Sequence, residues 1–299
     1  MAKYLVTGGT GLIGRALVDK LLAANQEVTV LTRSVRMAKK TLPDKVTLLE
    51  SLNVLKSLDA FDAVINLCGE PIVDKRWTKA QKRVIQSSRW DVTQKLTNLF
   101  KSGKQPPKTF ISGSAIGYYG RQGDQAITED YSQVHDEFSH HLCKKWEDIA
   151  LSATHLTRVC VLRTGIVLSD SGGALSKMTL PFKLGLGGPI GDGKHYMSWI
   201  HIDDMVNGIL FLLNNPESSG IYNFTAPHPV TNKVFSKALA GAVNRPCILF
   251  TPKVALKIAM GEMADLLIYG QNVIPAHLSE DGFTFSYPHV QQALDTLEL

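Results

Sequence analysis

The sequence predicts an α/β fold: a doubly wound parallel sheet carrying a small C-terminal subdomain. Two observations predict it. Short apolar runs alternate with helical stretches through the first two-thirds of the chain, the pattern of parallel βαβ units. From about Ser169 the texture changes to Gly-rich loops and shorter helices.

The first run, Lys3–Thr7, leads directly into Gly8, Gly11 and Gly14, and a helical stretch, Arg15–Ala24, follows. A strand, a glycine turn and a helix in that order present a helix N-terminus to a pyrophosphate, the device of a Rossmann-type fold. Gly8 permits the tight turn, Gly11 lets backbone approach phosphate, and Gly14 lets the helix pack closely on the strand. A dinucleotide is therefore expected at Gly8, Thr10, Gly11, Leu12, Ile13 and Gly14. The second strand, Glu27–Thr32, ends in Thr32-Arg33-Ser34. No carboxylate stands there to hold a ribose 2′-hydroxyl, and a guanidinium at Arg33, helped by the Ser34 hydroxyl, suits a 2′-phosphate. The expected cofactor is NADP(H). Arg36 and Lys39 read as a solvated helix start.

Further strands are expected at Val46–Leu49, Ala63–Cys68, Thr109–Ser112 and Val159–Leu162, with helices at Lys79–Lys101 and His135–Ser152. Ligands of such a sheet sit beyond the carboxyl ends of the strands. Beyond Ser169, a helix is expected around Ala174–Lys183, then the loop Gly185–Gly193, a strand at Trp199–Ile202 and a helix capped by Asp203 or Asp204 that runs to about Leu213. A strand at Tyr222–Thr225 and helices at Asn232–Val243 and Pro252–Leu267 complete the chain. The division that follows is 1–168 as the cofactor domain, rejoined by about 196–225, with 169–195 and 226–299 facing the substrate.

Composition narrows the class. The 299 residues are 44% hydrophobic and 20% charged, with a net charge of +5 spread along the chain. That small excess implies no nucleic-acid face. Cys68, Cys143, Cys160 and Cys247 lack metal-ligand spacing and sit in apolar contexts, so free thiols in a reducing cytoplasm are expected, and no metal site. No leader-like segment is read at the start, and no apolar run approaches the ~18 residues of a membrane span.

Several motifs are specific: Val64-Ile65-Asn66-Leu67-Cys68-Gly69-Glu70-Pro71-Ile72, Lys75-Arg76-Trp77, Ser88-Arg89, Ser112-Gly113-Ser114-Ala115 through Tyr118-Tyr119-Gly120, Leu162-Arg163-Thr164-Gly165, Leu184 to Gly191, and Trp199-Ile200-His201-Ile202-Asp203-Asp204. On these, essentially the whole chain resembles the extended short-chain dehydrogenases/reductases of the sugar-nucleotide-epimerase type, and most closely their atypical subgroup of epimerase family proteins. The resemblance implies NADP(H) binding and a small-molecule substrate, a sugar nucleotide being one candidate. It implies that Leu67, Cys68 and Gly69 line the cofactor path, that Arg89 reaches the cofactor, and that Val167 lies near the nicotinamide. Core packing is the alternative for Leu67, Cys68 and Val167; a buried Arg89 demands an anionic partner. The helices at Lys79–Lys101 and His135–Ser152 are the face through which such proteins form homodimers, and the oligomeric state stays open.

The resemblance also implies a Ser after the fifth strand acting with a Tyr-x-x-x-Lys pair, the Tyr exchanging the proton as hydride moves. Ser114 matches the serine. The segment that should carry the pair reads Phe138-Ser139-His140-His141-Leu142-Cys143-Lys144-Lys145-Trp146-Glu147. One register puts Ser139 and Cys143 at the pair, the other His140 and Lys144; neither gives Tyr and Lys. His140, Tyr118 and Tyr119 are the remaining proton-carrier candidates, with Glu70 a further one, and Lys194, His195 and Tyr196 follow a loop that suits a substrate rim. His201 reads as structural. Two functional readings result: an NADP(H)-dependent oxidoreductase or epimerase-like enzyme acting on a small polar carbonyl or hydroxyl compound, or a protein that binds NADP(H) without turnover and reports redox state.

Overall fold

The computed structural model describes residues 1–299. Seven strands, β1 (Lys3–Thr7), β2 (Glu27–Leu31), β3 (Thr47–Leu49), β4 (Ala63–Asn66), β5 (Thr109–Ala115), β6 (Arg158–Thr164) and β7 (Gly220–Phe224), form one parallel sheet in the order β7-β6-β5-β4-β1-β2-β3. The chain winds outward in both directions from the β1–β4 pair, so the topological switch point lies between these two strands.

Alternation along the strands builds a core on each face of the sheet. Val6, Ile65, Ile111 and Leu162 point to one side, where α1 (Leu12–Ala23) contributes Leu17, Val18 and Leu21. Leu5, Val64, Phe110 and Val161 point to the other, against Leu96 and Phe100 of α2 (Lys79–Ser102) and Ala150 of α3 (Phe138–Leu151). A separate core joins α4 (Gly173–Lys183) and α6 (Asn232–Ala242) through Leu175, Phe182, Phe235 and Leu239, with Trp199 and Leu294 completing it. The first core also takes Met205, Val206, Ile209 and Leu212 from α5 (Ile202–Asn214) and Leu278 from the tail, so late segments of the chain pack directly on the sheet.

Local differences from the sequence pattern have local causes. Helix α1 starts at Leu12 rather than Arg15, because extended Gly11 already serves as its N-cap. Helix α3 starts at Phe138 rather than His135. The cap of α5 is neither Asp203 nor Asp204: the His201 ring accepts the Asp203 N–H at 3.1 Å. Asp204 is fully buried instead, accepting the N–H groups of Ser286 and Tyr287 at 2.9 Å each. The helix expected over Pro252–Leu267 ends after Lys253–Met260 (α7), where Gly261 takes φ +64°; two single turns, Gly261–Ala264 and Asp265–Ile268, follow. No helix is long and apolar enough to cross a membrane, and all four cysteines are free.

Candidate cofactor and active site

The glycine turn lies at the carboxyl end of β1. Gly8 adopts φ +71°, and a Cβ there would stand 2.6 Å from the Leu67 carbonyl oxygen. Only glycine meets both conditions. A Cβ on Gly14 would lie 2.2 Å from the Gly8 carbonyl oxygen, so this residue packs the helix against the turn itself rather than against the strand. No side chain caps α1 and its first turn carries no acid. The amides of Leu12, Ile13 and Gly14 therefore point, unpaired, past exposed Thr10 and Gly11.

At the end of β2 the Thr32 hydroxyl accepts the Ser34 N–H (3.2 Å), and Ser34 Oγ accepts the Met37 N–H (3.4 Å) to cap a single helical turn. Arg33 between them is exposed and makes no hydrogen bond or ion pair within the chain, so its fork is free.

The floor of the crevice is a buried polar hub. Asn66, last residue of β4 and fully buried, accepts from the Thr7 hydroxyl (2.6 Å) and donates to Thr93 Oγ1 (2.8 Å) and Ser112 Oγ (3.4 Å). Thr93 also accepts the indole N–H of Trp146 (2.9 Å), and the half-buried Cys68 thiol donates to Asn66 Oδ1 (3.1 Å). Burial pushes that thiol up. Leu67 and Val167 are half-buried and pack against the sheet core, which accounts for their apolar character.

Arg89 reaches over this floor from α2. Its guanidinium occupies the space a Cβ on Gly69 would need, with Cζ 2.7 Å away, and lies 5.3 Å over the Trp146 ring. Nη1 donates to the Ile85 carbonyl (3.0 Å) and the Glu70 carbonyl (3.1 Å), and no carboxylate pairs with it. Burial lowers its affinity for the proton. The Glu70 carboxylate turns instead to Lys75 at 3.2 Å.

The residues around the fifth strand separate cleanly. Ser114 is buried and donates its hydroxyl to Glu147 Oε1 at 2.6 Å. Glu147 is gripped by a two-pronged Arg163 fork, Nε to Oε1 at 3.0 Å and Nη2 to Oε2 at 2.8 Å, both partners buried. Arg163 Nη1 donates to the Tyr119 hydroxyl (3.0 Å), which in turn donates to Asn223 Oδ1 (2.7 Å). Tyr119 is wholly buried and its phenol is pushed up to about 12 by burial. This corrects the expectation of a proton carrier at Tyr119: its hydroxyl is part of the framework. The half-buried Tyr118 lies flat against Arg163, 3.5 Å from Cζ to the ring centroid, and its hydroxyl makes no hydrogen bond within the chain. His140 stacks edgewise on Tyr118, and its Nδ1–H donates to the Tyr118 carbonyl at 2.5 Å.

Helix α3 brings residues of both registers inward. Ser139, Cys143 and Glu147 share its inward face and are all buried. A Cβ on Gly117 would touch Ser139 Cβ at 3.2 Å and lie 3.7 Å from Cys143 Sγ, while Lys144 points outward to Asp148. His140 on the same helix is buried as well, at 8% exposure. Ser139 donates to Glu137 (2.6 Å), and burial raises the Cys143 thiol to about 12, so neither is set up to exchange a proton. His195, at the end of the Gly-rich loop, is half-buried with an unpaired Nδ1 and prefers its neutral form because of burial.

The residues 4–224 match the NAD dependent epimerase/dehydratase family, and residues 251–297 match a domain of unknown function, DUF1731. The chain belongs to the NAD dependent epimerase/dehydratase family. It is 37% identical over 298 residues to an epimerase family protein of Staphylococcus aureus, 99% of each chain being covered. The human epimerase family protein SDR39U1, crystallised with NADPH, superposes with a TM-score of 0.90 at 33% identity, covering 99% of this chain and 98% of that one. UDP-glucuronic acid 4-epimerase from Bacillus cereus, in complex with UDP-glucuronic acid and NAD, superposes with a TM-score of 0.78 at 17% identity, covering 98% and 96%; that likeness is one of fold.

The sequence motifs contained Asn66, Glu147 and Arg163 without assigning them. A signal was there: a polar or charged residue that interrupts a buried strand must find a partner, and Asn66 ends β4 while Arg163 interrupts β6.

Proposed function

We propose that this protein is an NADP(H)-dependent oxidoreductase of the epimerase family acting on a carbonyl or hydroxyl compound. The observation that carries this reading is the pair of guanidiniums without a carboxylate partner, Arg33 and Arg89, flanking an uncapped glycine turn. Unpaired cations with a half-buried or well-placed fork call for an anionic or polyhydroxyl ligand. NADPH in complex with the human relative supplies the chemistry of that ligand. The turn is packed so closely that a Cβ at Gly8 would collide with the Leu67 carbonyl and one at Gly14 with the Gly8 carbonyl.

In this reading the amides of Leu12 and Ile13 hold the pyrophosphate, Arg33 takes the 2′-phosphate, and Arg89 orients the inner ribose from above Gly69. NADP(H) held there would supply or accept the hydride. Tyr118 supplies the proton, because its hydroxyl is the one near the end of β5 that the framework leaves free. Ser114 acts as a positioning residue through Glu147 and offers the substrate only its oxygen lone pairs. A second reading, NADP(H) binding without turnover, draws support from α3, where neither register carries a Tyr and a Lys.

Calorimetric titration with NADPH and NADH tests the proposal. Arg33→Ala is expected to weaken NADPH about 10- to 100-fold, the worth of a charge-assisted fork on phosphate, and to leave NADH within about twofold. Equal loss for both would remove the assignment.

A further inference from the structure

Resting on the reading above, we infer that the substrate is an uncharged carbonyl compound with an apolar arm, rather than a nucleoside-diphosphate sugar. The charges at the crevice mouth are largely paired within the chain. The loop after β4 is tied to the late chain by Lys177 with Asp74 and by Arg76 Nη2 donating to the Ile258 carbonyl (3.3 Å). Lys82 adds a third tie to Glu262 at 2.6 Å. Arg121 pairs with Glu137 (3.0 Å) and Asp265 (3.3 Å), Lys257 reaches Asp265 (3.6 Å), Lys75 reaches Glu70 (3.2 Å) and Lys253 reaches Asp192 (3.7 Å).

Every lysine among these has a carboxylate, and Arg76 has a carbonyl. The contrast with Arg33 is chemical: its guanidinium meets no group of the chain, whereas each of these lysines meets a carboxylate. A diphosphate there would have to compete with fixed carboxylates and would face them once bound.

The same mouth also exposes apolar side chains. Helix α4 turns Gly173, Lys177, Leu180 and Leu184 along one face. Gly173 abuts Leu12 of the cofactor turn and Lys177 meets Asp74, so Leu180 and Leu184 extend that face outward from the crevice. Leu184 is 66% exposed. The following loop runs against the segment before α7, through Thr251 N–H to the Pro189 carbonyl (2.8 Å) and Gly191 N–H to the Thr251 carbonyl (2.9 Å). Phe250, Val254 and Ile258 are exposed there, Ile258 by 74%, and α7 buries none of its residues. Neighbouring exposed aliphatics at the lip of a crevice mark a ligand surface.

The test uses the NADPH-loaded protein, with NADPH binding itself read first by fluorescence. Straight-chain methyl ketones from four to ten carbons, UDP and UDP-glucose are then titrated by calorimetry, and NADPH oxidation is followed at 340 nm. Affinity is expected to rise about three- to fourfold per methylene, with UDP and UDP-glucose weaker than the longest ketone. Leu184→Asp and Ile258→Asp, both at exposed positions, are expected to flatten the chain-length slope and leave NADPH binding unchanged. UDP-glucose binding tighter than every ketone, or a slope indifferent to both substitutions, overturns the inference. Failure to bind NADPH at all overturns the underlying reading instead, and the first measurement distinguishes the two.

Discussion

Arg163 and Glu147 form a buried pair whose removal should cost differently one at a time and together. The carboxylate receives three charge-assisted bonds, from Ser114 (2.6 Å) and from Arg163 (2.8 and 3.0 Å), and both side chains are about fully buried. Arg163→Met leaves a carboxylate with only the Ser114 hydroxyl, and Glu147→Leu leaves a guanidinium with only the Tyr119 hydroxyl and the Glu129 carbonyl. Each single change strands a buried charge, at a cost of about 3–5 kcal/mol. At about 2 °C per kcal/mol for a chain of this size, the melting temperature falls by roughly 6–10 °C. The double change Arg163→Met/Glu147→Leu removes both charges and their desolvation, and is expected within about 2 kcal/mol of the parent. Urea denaturation of the four proteins closes the cycle. A double variant that loses the sum of the two singles would refute the reasoning, because the charges would then be acting independently.

Three further outcomes are expected. Gly14→Ala places a methyl 2.2 Å from the Gly8 carbonyl oxygen; NADPH binding should fall at least about tenfold and stability by about 1–3 kcal/mol, the usual range for overpacking, whereas a calorimetric titration matching the parent would show that the turn yields freely. His201 caps α5 through an unprotonated Nδ1, and burial lowers its pKa below the ordinary imidazole value. Its folded form therefore resists protonation, so the cap's stability is present above the ordinary value and is lost as pH falls through the lowered one; His201→Asn, which caps without titrating, should melt with a flatter pH dependence between pH 7.5 and 5. Tyr118→Phe removes the free hydroxyl and should lower kcat at least about 100-fold for any carbonyl substrate found, with NADPH affinity retained; an unchanged kcat would pass the proton to another group.

Much of the fold was legible because the sheet is parallel and buried. Its strands read as apolar runs, and the glycines at 8, 11 and 14 announced the turn before any coordinate. Helix ends were less legible where a side chain outside the usual capping set did the work, as at His201, or where one glycine cut a longer amphipathic stretch, as at Gly261. In the site, Arg33 and Arg89 stood out because charge at the end of a strand or against a crevice needs explaining. Tyr118 and Tyr119 could not be told apart in sequence. Adjacent residues in a single helical turn face different ways, and only packing against Arg163 and Asn223 decides which phenol is buried. The same holds for α3, where the partner of Glu147, Arg163, stands on another strand.

The Asn66 hub has a consequence for motion. Because one amide fastens the ends of β1 and β4 and the middle of β5 to α2, and through Thr93 to Trp146, the bed of the crevice cannot loosen one strand at a time. Amide hydrogens of β4 and of Leu67, which donates to the Thr7 carbonyl at 3.1 Å, should exchange only when the whole sheet opens, while those of α7, which buries nothing, exchange through local fraying. The protein then receives its ligands on a fixed anvil, and any adjustment to the shape of what it binds falls to the lip.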